Sequence, residues 1–141
     1  MTKSVLFACN MNSVRSPMAA ALLRAAAGDR LAVDSAGLYE GGLDPFAEAV
    51  MAEIGVPMGD HAPKRLAALD ARAFDVMVAL TAEAAEEVRR LAPEKRIEFW
   101  PIENPSQEEG GREEVIAAYR RARDAIREKL VARFPEFFEK P

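Results

Sequence analysis

Short apolar runs alternate with longer segments of helical spacing from one end of the chain to the other. Residues 4–8 contain the unbroken run Val5-Leu6-Phe7-Ala8, which predicts a strand buried on both faces. Residues 17–27 open on Pro17 and continue in Ala and Leu, which predicts a helix with proline at its first position. A second strand is expected over 31–35, closed by Ala36-Gly37. Asp44-Pro45 then opens a helix through Ile54, with Asp44 as N-cap, and Gly55 ends it. The run 74–80 is apolar except for Asp75 and reads as a third strand. Thr81 caps the next helix, over 82–91. Residues 96–100 give a fourth short strand. A long helix is expected from 112 to 134, with Val115, Tyr119, Ala122, Ile126 and Leu130 on one face and Glu113 and Glu114 in its first turn. Residues 136–141 read as a loose end.

Four strands separated by helices imply parallel crossovers, and so a doubly wound α/β fold with a four-stranded parallel sheet and helices on both faces. At 141 residues, half of them hydrophobic, the chain is expected to form a single domain, 1–141. In such sheets ligands bind beyond the carboxyl ends of the strands, at the switch point. The segment after the first strand therefore sits where chemistry is expected.

That segment is Cys9-Asn10-Met11-Asn12-Ser13-Val14-Arg15-Ser16. A thiol ends the strand, five residues form a loop, and an arginine and a serine lead into the helix. Backbone N–H groups of such a loop converge on an oxyanion, and the helix N-terminus adds its positive end. The planar fork of Arg15 suits two oxygens of one phosphoryl group. The same field favours thiolate over thiol, which makes Cys9 a candidate nucleophile aimed at phosphorus. The competing interpretation is a small buried hydrophobe, the usual fate of a free cysteine. Asn12 sits mid-loop, where positive φ is often needed and asparagine tolerates it; a plain surface turn is the other interpretation.

Composition narrows the partners. A net charge of -4 and a pI near 5.2 argue against a nucleic-acid binder. The N-terminal apolar run is too short for a signal segment or a membrane span, so a cytoplasmic protein without a membrane partner is expected. Cys9 is the single cysteine, which excludes an intramolecular disulfide and suits a reducing compartment. His61 is the single histidine, and a lone histidine is more often structural than catalytic. With no second ligand at metal spacing, neither a metal nor another cofactor is expected.

The stretch VLFACNMNSVRSPMAAALLR resembles the opening of the low molecular weight protein tyrosine phosphatases, whose fold is shared with the thioredoxin-coupled arsenate reductases. The resemblance implies a phosphomonoesterase that works through a cysteinyl-phosphate on Cys9, with Arg15 holding the phosphoryl group. It implies that Asn10, Met11, Asn12, Ser13 and Val14 form the phosphate-binding loop and that the Ser16 hydroxyl steadies the thiolate. It also implies that Ser35 and His61 brace the loop. Expected partners are a phosphorylated protein or small aryl phosphate, with inorganic phosphate or other oxyanions in the same place.

One element departs from the family. Its late Asp-Pro pair, whose acid protonates the leaving oxygen, corresponds here to Asn104-Pro105. An amide donates hydrogen bonds but cannot deliver a proton. Glu103, Glu108 and Glu109 are the carboxylates on the same expected loop. The aromatics that often come after the pair are replaced by Ser106 and Gln107, which leaves Tyr39 or Trp100 to supply a ring. Two other functions stay open. One is arsenate reduction, which passes electrons through further cysteines and here would borrow an external thiol. The other is a phosphoanion-binding module with little turnover.

Overall fold

The computed structural model describes residues 2–58 and 61–138. Its elements run in the order β1 (Ser4–Cys9), α1 (Arg15–Ala27), β2 (Ala32–Gly37), α2 (Pro45–Ala52), β3 (Val76–Ala79), α3 (Ala82–Leu91), β4 (Ile97–Phe99), α4 (Arg112–Arg133) and α5 (Pro135–Phe138), with short 3-10 turns between. The four strands form one parallel sheet in the order β2-β1-β3-β4. The expected doubly wound α/β fold is therefore observed.

Because β1 is central and covered on both sides, it tolerates no polar residue along its middle. The period of two sends Val5, Phe7 and Cys9 to one face, into a core with Met18 and Leu23 of α1, Val50 and Met51 of α2, and Tyr119, Ile126 and Leu130 of α4. Leu6 and Ala8 face the other way, against Leu66, Met77 and the Ala84, Ala85 and Val88 stripe of α3. Cys9 thus inherits its direction from the strand and points toward the start of α1. No helix among the described residues is long and apolar enough to cross a membrane.

Several boundaries differ from the sequence expectation. α1 begins at Arg15, two residues before Pro17. The first four N–H groups of a helix have no partner inside it, so a proline is harmless at its third position as well as its first. α2 stops at Ala52, and the chain turns through Gly55 at φ 73°. β3 loses Phe74 and Asp75, because the Asp75 carboxylate instead accepts the backbone N–H groups of Lys3 and Ser4. The expected loose end is helical over its first residues. Residues 135–138 form α5, with Phe137 against Phe134 and under the Arg30 guanidinium, while 139–141 lie outside the described residues. Asp44 caps α2 as expected, accepting from the Phe46 and Ala47 N–H groups.

Candidate functional site: an anion cradle at the end of β1

After Cys9 the chain turns back on itself, and each carbonyl of the turn is taken from outside. Those of Cys9, Asn10, Met11 and Ser13 accept the N–H groups of Leu38, Tyr39, Gly41 and Asp44 at 3.1, 2.8, 2.8 and 3.2 Å. The Asn12 carbonyl lies 2.9 Å from His61 Nε2. A trans peptide directs the next N–H opposite to its C=O. With five carbonyls turned outward, the N–H groups of residues 10–14 face the enclosed side. α1 starts there without a side-chain cap, so its first N–H groups open on the same space. Such a ring, next to a helix N-terminus, is a site for a tetrahedral anion.

The ring is held by Asn12. Its φ is 53°, the single positive value among the described non-glycine residues, and it is fully buried. Its Oδ1 accepts from the Lys64 N–H at 2.9 Å, which orients the amide: Nδ2 then faces the hydroxyls of Ser16 and Ser35, 2.9 Å from each. Ser16 Oγ also lies 2.8 Å from Cys9 Sγ, within reach for its O–H to donate to a thiolate there. Ser16 and Ser35 are fully or almost fully buried. Since a carbonyl only accepts, His61 must carry its proton on Nε2. Burial lowers the His61 pKa, against the Asn12 carbonyl and helped by Lys64 and Arg24, so the neutral ring is favoured.

Gly37 pairs with Cys9 in the sheet register and admits no side chain. A Cβ there would stand 2.7 Å from Asn12 N and 2.8 Å from Asn10 O and Tyr39 O, all backbone atoms. This glycine lets the second strand approach the loop.

Arg15 leaves the first turn of α1, and its Nη1 donates to the Ile102 carbonyl at 3.0 Å. Burial depresses its pKa, while the charges of Cys9 and Glu83 act in the opposite sense. A cavity of about 390 Å³ opens beside it, whose lining includes Asn10, Thr81, Glu83, Phe99, Glu103 and Asn104. Cys9 itself is 2% exposed and is not among the residues that line this cavity. Asn104 caps the 3-10 turn Pro105–Gln107, with Oδ1 accepting from the Ser106 N–H at 3.0 Å and the Ser106 hydroxyl at 2.7 Å. Of the carboxylates expected near Asn104, Glu103 reaches this cavity, whereas Glu108 lines a different one and lies 3.7 Å from Arg121.

The aromatic candidates divide. Trp100 is buried against Phe7, with ring centres 6.1 Å apart, and is not among the residues lining this cavity. Tyr39 is well exposed beside the loop, and Phe99 lines the cavity. Sequence reasoning missed Lys64, Gly37, Thr81 and Glu83. Thr81 and Glu83 had a visible signal, since the residues just after β3 stand at the same sheet edge as the Cys9 loop. No cluster of three or more metal-ligating side chains occurs among the described residues.

A parallel sheet with an N–H-lined loop at its switch point, holding cysteine and arginine six residues apart, is an α/β arrangement suited to an oxyanion. Residues 4–137 match the low molecular weight phosphotyrosine protein phosphatase family, and the chain belongs to it. An arsenate reductase of Bacillus licheniformis is 32% identical over 134 residues, covering 95% of this chain and 96% of that one. A low molecular weight protein-tyrosine-phosphatase of Streptomyces coelicolor is 41% identical over 105 residues, 68% of this chain and 63% of that one. Among solved structures, the tyrosine phosphatase AmsI of Erwinia amylovora superposes with a TM-score of 0.77 at 28% identity, covering 94% of this chain and 93% of its own.

Proposed function

We propose that the chain is a phosphomonoesterase of the protein-tyrosine-phosphatase type. Cys9 attacks phosphorus and carries the phosphoryl group as a cysteinyl-phosphate. Arg15 and the N–H groups of the loop hold the equatorial oxygens, whose charge is what such a site must stabilise. Ser16 donates to the thiolate, and Asn12, Ser35 and His61 keep the ring in shape. The observation that carries this reading is the set of five outward carbonyls around a loop that starts at the thiol. Substrates of this reading are phosphorylated proteins or small aryl phosphates, with inorganic phosphate and related oxyanions occupying the same cradle. A reducing, cytoplasmic setting suits the single cysteine.

The test is release of phosphate from p-nitrophenyl phosphate beside phosphotyrosine, with Cys9→Ser as control. Wild-type turnover and an inactive variant that still binds phosphate are expected. Turnover that survives Cys9→Ser removes Cys9 and the reading together. Phosphate binding without turnover in the wild type would favour a binding module.

The relatives support a second reading, because arsenate reductases 31–32% identical cover more than nine-tenths of this chain. Arsenate would enter the same cradle and bond to Cys9. With one cysteine in the sequence, the electrons and the resolving sulfur must come from an external thiol. Arsenate-dependent oxidation of added thiol, absent in Cys9→Ser, is the measurement that would favour it.

A further inference from the structure

Breaking a phosphate ester leaves an oxygen that needs a proton, and Asn104 has none to give. Displacement in line with Cys9 sends that oxygen away from the sulfur, and the cavity lined by Arg15 and by Asn10, the residue next to the nucleophile, is the space this proposal assigns to it. Two carboxylates line this cavity, Glu83 and Glu103. They are not equivalent. Glu83 is in the first turn of α3, which Thr81 caps through the Ala84 N–H. Its Oε2 accepts from Asn10 Nδ2 at 3.3 Å, and Asn10 Oδ1 accepts the Thr81 hydroxyl at 2.7 Å. A carboxylate on a helix is thereby fastened to the residue next to the nucleophile. Glu103 lies on the irregular segment after β4, and its carboxylate has no hydrogen-bond partner among the described residues.

We propose that Glu83 is the proton carrier of this site, a role that rests on the phosphomonoesterase reading above. In the first half-reaction the bond from Cys9 sulfur to phosphorus forms as the ester P–O bond breaks. The carboxylic acid of Glu83 gives its proton to the departing oxygen, which leaves as an alcohol or phenol. In the second half-reaction the Glu83 carboxylate takes a proton from water. The water oxygen bonds to phosphorus as the S–P bond breaks, which returns the thiolate, releases inorganic phosphate and restores the acid.

The experiment compares wild type, Glu83→Gln, Glu103→Gln and the double variant Glu83→Gln/Asn104→Asp on aryl phosphates graded by leaving-group pKa. Glutamine keeps an oxygen for Asn10 and removes the titrating proton. The wild type is expected to depend weakly on leaving-group pKa. Glu83→Gln should lose about 10²–10⁴ in rate on phenyl phosphate and far less in Cys9 phosphorylation by p-nitrophenyl phosphate. That variant should also show a nitrophenolate burst as cysteinyl-phosphate accumulates, and the double variant should regain part of the loss. An equal loss on every substrate, together with weakened phosphate binding, would show a prop for Asn10 and overturn the assignment. The same pattern in Glu103→Gln instead of Glu83→Gln would overturn it too. An active wild type indifferent to Glu83→Gln removes the assignment alone, whereas a wild type without Cys9-dependent turnover removes the phosphatase reading with it.

Discussion

Asn12 combines two demands that few side chains meet together. Its backbone is left-handed at φ 53°, and its amide must accept one N–H and donate to two hydroxyls at a fully buried position. Asn12→Gly removes the second contribution and Asn12→Ala removes both. The Lys64 N–H then loses its partner, at about 1–3 kcal/mol for an unmatched buried group. Alanine adds about 1–2 kcal/mol for the left-handed backbone. Thermal denaturation should therefore rank wild type above Asn12→Gly above Asn12→Ala, and equal melting points for the two variants would show that φ stores no cost. Gly37→Ala is a test of space rather than of hydrogen bonding. The added Cβ meets three backbone atoms that cannot rotate away, so a loss of about 1–3 kcal/mol is expected from overpacking. Phosphate affinity should fall with it, because two of the three atoms belong to the loop. A Gly37→Ala protein that binds phosphate as well as the wild type would place the anion site elsewhere. Asn12 was legible from its type and its place in the loop. The need for Gly37 was not, because it arises from two segments that meet only in the folded sheet.

At the scale of elements, the sequence carried what periodicity and capping can carry. Continuous apolar runs marked β1 and β3, and Asp44 and Thr81 marked where α2 and α3 begin. It erred where a tertiary partner decides. Asp75 left its strand for the N-terminal backbone, and Phe137 and Phe138 pack on the core instead of fraying. The clamp between α2 and α4 was equally hidden. Glu53 receives Arg120 through two of its nitrogens and Arg123 at 2.8 Å, while Arg123 also donates to the Val50 carbonyl. Hydrogen bonding to Arg120, then to Arg123, holds the Glu53 pKa at about 2, below its ordinary 4.5. A depressed carboxylate contributes stability above its unfolded pKa and loses it as pH falls through the folded value. The Glu53 contribution is thus expected to be present at neutral pH and to disappear between about pH 4.5 and 2. Melting curves of wild type and Glu53→Gln should differ at pH 7 and converge near pH 2. Since the pair is exposed, solvent screens it and the gap should shrink in high salt. A gap unchanged by pH would assign the effect of the substitution to packing.

Across the whole molecule, the cradle is assembled from segments far apart in sequence. β1 and α1 supply the thiol and the arginine, residues 37–44 and 61–64 brace the loop, and the segment after β4 brings Ile102 and Asn104 over the top. An anion that binds the assembled ring has no counterpart in the unfolded chain, so its binding free energy is added to the stability of the fold. For a single site this amounts to about 2.7 kcal/mol at a ligand concentration one hundred times Kd. Cys9→Ser is the protein to use, since it keeps a small polar side chain at the base of the cradle and stops any chemistry. Its melting temperature should rise with the logarithm of phosphate, arsenate or sulfate concentration above Kd, and chloride at equal ionic strength should give no such rise. Adding Arg15→Lys should abolish most of the increment, because an ammonium cannot replace the two-pronged contact of a guanidinium. It should leave the melting temperature without anion little changed, apart from the lost bond to Ile102. An increment that persists in the Arg15→Lys background would mean that the anion acts on the surface at large, and would take the binding site away from the loop after β1.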